Sequence, residues 1–401
     1  MIQIADFLIS LLIGVLAGTF TGLIPGIHIN LISIILLSSI TLFSTFPPLS
    51  LAIIIISMAI THSFMDFIPS IFLGAPEDDT FLSILPGHQM LKEGSAHEAI
   101  VLTLYGSLVG ILIILIFAFP FIYLIPLIYS AVKFAIPFLL IFLSIYLILR
   151  EEFFITSLII FLFSGFIGFS ALNLPVKEPL LPVLTGLFGA SALTLSLKNK
   201  TEIAKQKTLP LKKITIPKKE FFGASLGAIL SAPLCSFLPG IGAGHAAIIG
   251  SELIKQTKKS FFVLLGAINT IVLGLSFITI YSIGRTRTGS AVAVKEILQE
   301  ITLSHLGVFL LVIVLSGSLA FFLTLQISKF FSRKIGKINY TTLTKLILFF
   351  LTSIIILFSN WLGLLVFFTS TFLGIFTIVS GVRRTSLMGC LLIPTIIFYL
   401  V

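Results

Sequence analysis

The run Leu51-Ala52-Ile53-Ile54-Ile55-Ile56-Ser57-Met58-Ala59-Ile60 decides the fold class, because it is almost wholly apolar and meets no acidic or basic residue until His62 and Asp66. An unbroken apolar run of about 20 residues is long enough to cross a bilayer as a helix. Similar runs follow one another with short breaks from Leu8 to the last residue. In hydrocarbon each backbone N–H and C=O needs a partner within the chain, which leaves helices or a closed barrel. Barrel strands alternate apolar and polar residues, and these runs do not, so the spans are predicted to be helical.

The composition supports this conclusion. Of the 401 residues, 57% are apolar and 10% are charged, whereas a soluble domain carries about 25% charged residues. We therefore predict an all-α, multi-pass protein of the cell membrane with about 12–14 transmembrane or re-entrant helices. The spans are expected near residues 5–24, 28–45, 50–73, 98–119, 131–149, 153–170, 179–197, 221–238, 241–255, 260–282, 303–326, 343–359, 361–380 and 386–400.

A lysine-rich segment divides the chain. Between Lys198 and Lys219 eight lysines face one acid, Glu202, and they explain much of the net charge of +10. By the positive-inside rule this segment is a cytoplasmic loop rather than a nucleic-acid site. We predict a first transmembrane repeat at 1–197, a basic cytoplasmic loop at 198–220 and a second transmembrane repeat at 221–401. The lysines are Lys198, Lys200, Lys205, Lys207, Lys212, Lys213, Lys218 and Lys219.

The two halves are predicted to have opposite orientations. The basic turns at 255–259 and 333–337, the pair Arg383-Arg384 and, in the first half, Arg150 all fall on the lysine-loop side of the predicted spans. Each half then contains an odd number of spans, and consecutive halves with odd span counts are inverted. The two halves also contain similar short segments in the same order. GLIPGI at 22–27 recurs as SFLPGI at 236–241, and AITH at 59–62 recurs as AINT at 267–270. Inverted repeats with Gly/Pro-interrupted spans are typical of secondary transporters, whose site lies at the repeat interface near the midplane.

The Pro-Gly pairs are the first candidate substrate site. Proline removes a backbone donor and glycine permits unusual dihedral angles, so a helix breaks there and exposes main-chain groups that bind ions. In the second copy a helix beginning near Ala243 would direct its positive end at an anion. A plain kink or a tight interhelical turn is the alternative reading of both copies. The candidate substrate-binding residues are Pro239, Gly240, Gly242, Gly244 and His245 in the second copy, with Pro25, Gly26, His28 and Asn30 in the first.

Ionisable residues inside or next to spans are candidates for ion coupling. His62 and Asp66 are four residues apart and therefore share a helical face. Leaving such groups in a membrane is costly, and a His-Asp pair is suited to carrying a coupling proton, although a structural polar contact explains it equally well. Asp78 and Asp79 follow the same span and are further candidates for binding a cation.

Polar and basic residues of the second half are candidates for binding the substrate directly. Asn269 and Thr270 are uncharged and lie inside a span. Arg285 and Arg287 occupy the positions that Glu77 and Asp79 occupy in the first half, and a guanidinium fork suits a carboxylate. A solvated loop in each half is the alternative.

These motifs together resemble the TctA family, the large membrane permease subunit of the tripartite tricarboxylate transporters, in an archaeal-type branch. The resemblance is carried by Gly18-Thr19-Phe20-Thr21-Gly22-Leu23-Ile24-Pro25-Gly26, by LPGHQM at 85–90, by GSAHEA at 94–99, and by Leu238–Gly244 followed by Glu252 and Lys255. The family's late Pro-Gly hairpin has GRTRTG at 284–289 in its place here. The resemblance implies a permease for citrate-like carboxylates that is driven by sodium or protons. It also implies a small membrane subunit and an extracytoplasmic binding protein as partners.

The sequence therefore predicts a secondary active transporter for small organic anions, such as tri- or dicarboxylates, and not an enzyme. No cofactor is expected beyond a coupling ion, sodium or a proton. The expected partners are the anion and the lipid bilayer, without nucleic acid, and a homo-oligomer is left open. No phosphate-binding loop, zinc spacing or serine-hydrolase motif is present. The alternatives are a channel, a carrier for a non-carboxylate solute, and a membrane-embedded enzyme acting on a lipid-linked anion through His28, His62, Asp66 and His245.

Overall fold

The computed structural model of this chain describes residues 3–24, 47–74, 80–132, 134–198, 204–237, 242–286, 288–335 and 340–400. Within these ranges the regular structure is helical, without a strand. The predicted all-α class is thereby confirmed.

The helices are numbered along the described chain. They are α1 (Ile4–Leu23), α2 (Pro48–Leu73), α3 (Ile84–Lys92), α4 (Ala96–Val132), α5 (Ile136–Leu149), α6 (Phe154–Asn173), α7 (Leu180–Lys198), α8 (Lys218–Phe237), α9 (Ala243–Leu253), α10 (Lys258–Ser282), α11 (Gly289–Leu298), α12 (Leu303–Ile335), α13 (Tyr340–Val379) and α14 (Gly389–Leu400). Short 3-10 turns precede α3 and α14, and π turns interrupt α2 and α7.

The membrane-spanning character of the fold is confirmed. Eight of the helices in the described ranges are long and apolar enough to cross a bilayer, and two shorter apolar segments accompany them. The helix α4 extends beyond the predicted span at 98–119, because it continues through Pro120 and Pro126. Spanning helices tolerate proline where neighbouring groups satisfy the freed carbonyls. The predicted span at 28–45 lies outside the described residues.

The long helix α13 is a hairpin that turns at Asn360, as the two predicted spans at 343–359 and 361–380 require. Asn360 has φ 61° and ψ −171°, and its Oδ1 accepts from the N–H of Leu362 at 2.9 Å to cap the second half. Before the turn, Leu351 clusters with Leu193 near the end of α7. After the turn, residue 363 lies near the start of α7, and a Cβ at Gly374 would meet Ser191. The two halves of α13 therefore run antiparallel to each other, and both pack along α7.

The helices pack in two groups. The large bundle contains α1–α4 and α8–α12, and the small bundle contains α5–α7, α13 and α14. Each half of the sequence supplies helices to both bundles. The described helices of the two bundles meet only sparsely; the rings of Phe81 and Phe188, 4.7 Å apart, and the ion pair of Arg150 with Glu252 join them. The predicted boundaries of the repeats at 197 and 221 stay a prediction.

Glycines bring the helices of the large bundle into backbone contact. Gly14, Gly18 and Gly22 form a stripe on α1, and a Cβ at any of them would overlap α2. The successive partners on α2 are Ser57, Met58 and Met65, so α1 and α2 run parallel. In hydrocarbon, close packing at small residues is a main source of helix association.

The same kind of contact fixes the direction of α4 and α10. A Cβ at Gly106 would overlap the carbonyl of Val263, and one at Gly110 would meet Thr270. The two helices therefore run parallel. An ion pair of 2.6 Å between Glu98 and Lys259 joins their first turns.

The helix α12 connects α2 with α4 and shows that these two run in opposite directions. Thr324 Oγ1 donates to Met65 Sδ at 3.3 Å, while a Cβ at Gly317 would lie close to Ile60, so α12 runs parallel to α2. Ser328 Oγ lies 2.9 Å from His97 Nδ1, near the start of α4, so α12 runs antiparallel to α4. Since α10 is parallel to α4, the helices α2 and α10 are antiparallel. This is the relation that inverted repeats require of the segments AITH and AINT.

The basic loop packs against the turn between α3 and α4. Gln206 Oε1 accepts from the N–H of Ala96 at 3.1 Å, and Gln206 Nε2 donates to the carbonyl of Leu91 at 2.7 Å. The N–H of Lys207 donates to the carbonyl of Gly94 at 2.8 Å. The lysine loop, the start of α4 and the start of α10 therefore lie at one end of the large bundle, and the cytoplasmic side assigned to it stays a prediction.

Replacing Gly106 with leucine tests the packing of the large bundle. The side chain would overlap backbone of α10, and overpacking of this kind costs about 1–3 kcal/mol or more. We expect the purified protein to unfold several degrees lower in a thermal melt. Gly307→Leu is the matched control, because a Cβ there has no neighbouring atom within 4 Å. Equal melting temperatures of the two variants would contradict the α4–α10 contact.

Candidate functional site

A buried hydrogen bond between Asp66 and Asn269 joins the two halves of the chain. Asn269 Nδ2 donates to Asp66 Oδ2 at 3.2 Å and lies 3.3 Å from the carbonyl oxygen of Ser63. Asp66 is 2% exposed and Asn269 is 3% exposed. Asn269 lies near the middle of α10, so the contact is deep within the membrane-spanning region. The structure thus brings together a residue predicted to couple an ion and a residue predicted to bind the substrate.

His62 lies one turn before Asp66 and contacts α1. Its Nδ1 is 3.1 Å from Thr21 Oγ1, and both side chains are buried. The approach of the two helices depends on Gly18 and Gly22, because a side chain at either glycine would overlap the backbone of α2 beside His62. Thr21 was missed as a candidate, although it lies between these glycines in the quoted motif.

Two buried hydroxyl groups of α2 and α10 lack hydrogen-bond partners in the described chain. They belong to Thr61 on α2 and to Thr270 on α10, and both residues are 0% exposed. Thr61 and Thr270 are the sequence neighbours of His62 and Asn269. A buried polar atom without a partner is rare and indicates a function or an unseen ligand. Thr270 therefore stays a candidate substrate ligand, and Thr61 becomes a second candidate.

The start of α9 is the described part of the second Pro-Gly motif. Helices α8 and α9 form an antiparallel hairpin, in which Gly227 approaches Gly250 and Gly223 approaches Ile254. Residues 238–241 lie outside the described chain. The N–H of Gly242 donates to His245 Nδ1 at 3.0 Å, which caps the helix.

The ring of Phe81 covers the start of α9. A Cβ at Gly244 would overlap this ring, so the glycine gives room to an aromatic side chain from the other half of the chain. Gly242, Gly244 and His245 are all buried. Phe81 was not a sequence candidate, since a single phenylalanine among the 40 in the chain carries no pattern.

Arg285 lies at a different level from Asn269. Helix α10 ends at Ser282, 13 residues beyond Asn269, and Arg285 follows this end. The rise of the helix therefore places Arg285 about 20 Å from Asn269 along the helix axis. Its Nη1 donates to the hydroxyl of Tyr129 at 2.6 Å, and its guanidinium lies 5.6 Å from the centre of that ring. Arg285 is exposed. The structure therefore separates Arg285 from the Asp66–Asn269 contact.

The remaining predicted site residues cannot be placed. The residues outside the described chain are Pro25, Gly26, His28, Asn30, Asp78, Asp79, Pro239, Gly240 and Arg287. Their roles stay predictions. Among the described residues no group of three His, Cys, Asp or Glu side chains is placed to hold a metal ion.

Replacing Asn269 with leucine tests the contact between the halves. The change removes both donated hydrogen bonds and leaves the Asp66 carboxylate with one donor fewer, so the free energy of unfolding should fall by about 1–3 kcal/mol. The measurement is denaturant unfolding of the purified protein in detergent. Asp66→Asn should cost less, because its amide oxygen still accepts, and a double-mutant cycle of the two positions should give a non-zero coupling energy.

The control for this experiment is Asn173→Leu. The amide of Asn173 is exposed and donates to the carbonyl of Phe169 in its own helix at 2.8 Å. If Asn269→Leu and Asn173→Leu unfold at the same denaturant concentration, the bond between Asp66 and Asn269 does not stabilise the fold.

Comparison with known proteins identifies the family of the chain. An uncharacterized protein of Methanocaldococcus jannaschii, MJ1079, is 30% identical over 407 aligned positions, which cover 98% of this chain and 99% of the relative. This relative is archaeal, as the predicted branch requires. No solved structure matches the chain. The description "Tripartite tricarboxylate transporter TctA family" matches residues 8–389, and this multi-pass membrane protein therefore belongs to the TctA family of transporter permeases.

Proposed function

We propose that the protein is a secondary active transporter for small organic anions, such as tri- or dicarboxylates, coupled to sodium or protons. The observation that carries this proposal is the buried Asp66–Asn269 hydrogen bond between antiparallel helices of the two halves. A carrier needs a site that both halves share near the midplane. Membership of the TctA family supports transport of carboxylates, and the geometry supports the location.

Asp66 is the proposed ion-coupling residue. A carboxylate that is 2% exposed inside a membrane protein is costly unless a proton, a cation or hydrogen-bond donors stabilise it. Asn269 supplies one donor. The oxygens of Asp66 and of the Ser63 carbonyl are also ligands that a hard cation prefers. Binding of a proton or sodium ion would reduce the local negative charge before an anion enters.

The start of α9 and the hydroxyl of Thr270 are the proposed substrate contacts. The first N–H groups of a helix and its dipole favour an anion. Phe81 now covers Gly244, so an anion would reach this helix end when the ring moves. Phe81 also packs against Phe188 of the small bundle. Relative movement of the two bundles would thus uncover the site, which gives alternating access a physical route.

The family description suggests further partners. Tripartite transporters take their name from having more than one component, so a small membrane subunit and an extracytoplasmic binding protein are proposed for this chain too. The enzyme alternative relies on His28, His62, Asp66 and His245 as catalytic residues. Of these, His62 contacts Thr21 and His245 caps its own helix, which supports structural roles for both.

Reconstitution into liposomes tests the proposed function. We expect a labelled carboxylate, chosen from citrate, succinate and phenylacetate, to accumulate only when a sodium or proton gradient is imposed. Formation of a product without a gradient would support the enzyme instead, and equal flux in both directions without accumulation would support a channel.

Asp66→Asn tests the coupling residue in the same liposomes. It keeps a hydrogen-bond acceptor beside Asn269 but removes the charge, so gradient-driven uptake should fall at least tenfold, an effect of about 1.4 kcal/mol or more. Asp6→Asn is the matched control, because Asp6 is exposed in the first turn of α1. Gradient-driven uptake by Asp66→Asn at the rate of Asp6→Asn would exclude Asp66 from coupling.

A further inference from the structure

A cavity of about 430 Å³ lies between the large and the small bundle. Phe81, Leu82 and Pro86, together with Phe261 at the start of α10, form the wall on the large-bundle side. Phe188 and the segment from Ile378 to Thr385 form the opposite wall. The volume is within the range of about 300–1,000 Å³ that is usual for small-molecule sites.

Arg384 provides the positive charge of this cavity. Its Nη1 donates to the carbonyl of Phe188 at 3.0 Å, and among the described residues no carboxylate pairs with it. The side chain also lines a neighbouring cavity of about 170 Å³ with His88 and Lys92. A guanidinium has five N–H donors, so Arg384 retains donors for a ligand after this one bond.

The other basic groups nearby contribute less. Arg383 is paired with Glu151, whose Oε1 is 3.5 Å from Arg383 Nε and whose Oε2 accepts from the Arg383 N–H at 3.3 Å. Burial, followed by the charges of Lys92 and Arg384, lowers the pKa of His88 to about 4, so this imidazole is neutral at pH 7. Lys92 is exposed to water. Among the described residues, Arg384 is therefore the half-buried cation of the large cavity that has no paired carboxylate.

A hydroxyl group of the next residue in the chain lines the same cavity. This residue is Thr385, and its Oγ1 is buried without a hydrogen-bond partner in the described chain. A buried polar atom of this kind indicates a missing partner. A guanidinium and a hydroxyl side by side are complementary to one carboxylate group.

The remaining wall is apolar and rich in aromatic rings. Phe81, Phe188 and Phe261 face the space together with Leu82 and Val382. A citrate-like anion would place carboxylates against these rings, where an unpaired charge loses its hydration without compensation. A molecule with one carboxylate and an apolar body matches both parts of the cavity.

We propose that Arg384 and Thr385 bind the carboxylate of an organic monoanion whose apolar body lies among Phe81, Phe188 and Phe261. The inference rests on the proposed transport of small organic anions. Within that class it favours monocarboxylates with an apolar body over the tri- and dicarboxylates. The site also adjoins Phe81, which covers the start of α9. The anion would thus be held beside the aromatic ring that covers this helix end.

Cysteine modification in the cavity tests this binding without requiring transport. Leu82→Cys places a thiol on the cavity wall, in a background where the buried Cys235 and Cys390 are replaced with alanine. Methanethiosulfonate reagents with a sulfonate or a trimethylammonium group then probe the purified protein. We expect phenylacetate to slow modification and citrate at equal concentration to leave it nearly unchanged.

Variants of Arg384 identify the binding group. Arg384→Gln should lower the ratio of anionic to cationic reagent rates roughly tenfold, as expected when a unit charge several ångströms away is removed, and it should abolish protection by phenylacetate. Arg384→Lys should retain the rate ratio but protect less, because the fork is lost. Arg333→Gln is the control, since Arg333 is exposed at the end of α12 and lines neither cavity. Ile378→Cys, on the opposite wall, serves if the Leu82 variant does not fold.

The outcomes separate this inference from the proposed function. Protection by citrate that equals protection by phenylacetate, an absence of protection by phenylacetate, or unchanged rates in Arg384→Gln would each overturn the inference. Liposome uptake of carboxylates combined with an unprotected thiol would reject the cavity while keeping the transporter. Protection by phenylacetate without any gradient-driven uptake would keep the cavity and reject the proposed transport.

Discussion

The hydrocarbon of the bilayer cannot satisfy a polar group, and this constraint shapes both the fold and the site. Each backbone must close its own hydrogen bonds, so the chain forms helices. Because lipid offers little hydrophobic drive for helix association, the helices are joined where small residues allow close contact. Gly106 against Val263 and Gly18 against Met58 are such contacts. The same constraint makes the carboxylate of Asp66 costly, and Asn269 from the other half of the chain lowers that cost.

The arrangement of the bundles connects the central contact with the proposed transport movement. All residues of the Asp66–Asn269 contact belong to the large bundle, so they would stay together if the bundles shifted. The described contacts between the bundles are fewer than those within each bundle. Several of them join side chains, such as Phe81 with Phe188 and Arg150 with Glu252. Phe81 also covers Gly244. Because the same ring contacts the small bundle, a shift of that bundle would change how far the start of α9 is exposed.

The charge distribution supports separate tasks for different parts of the protein. The lysine loop and the basic helix ends lie at one end of the large bundle, where Glu93 pairs with Lys258 and Glu98 pairs with Lys259. The pair of Glu93 with Lys258 is exposed, contributes little to stability and suits a membrane surface. Arg384 differs from these basic groups, because it lines a cavity among phenylalanine rings. A cation in such surroundings attracts an anion more strongly than one in water, since the local dielectric constant is lower.

The sequence by itself determined the helical membrane class and the position of most spans, and it predicted the pairing of AITH with AINT. These features depend on apolar length and on local repeats, which are visible in the order of residues. It also identified Asp66 and Asn269 as polar residues inside spans, but it assigned them to separate tasks. Only the tertiary structure showed that their side chains meet, that Phe81 covers Gly244, and that Arg285 lies far from Asn269. Those relations join residues distant in the chain, and they depend on how the helices cross and on which faces are turned together, which no local pattern specifies.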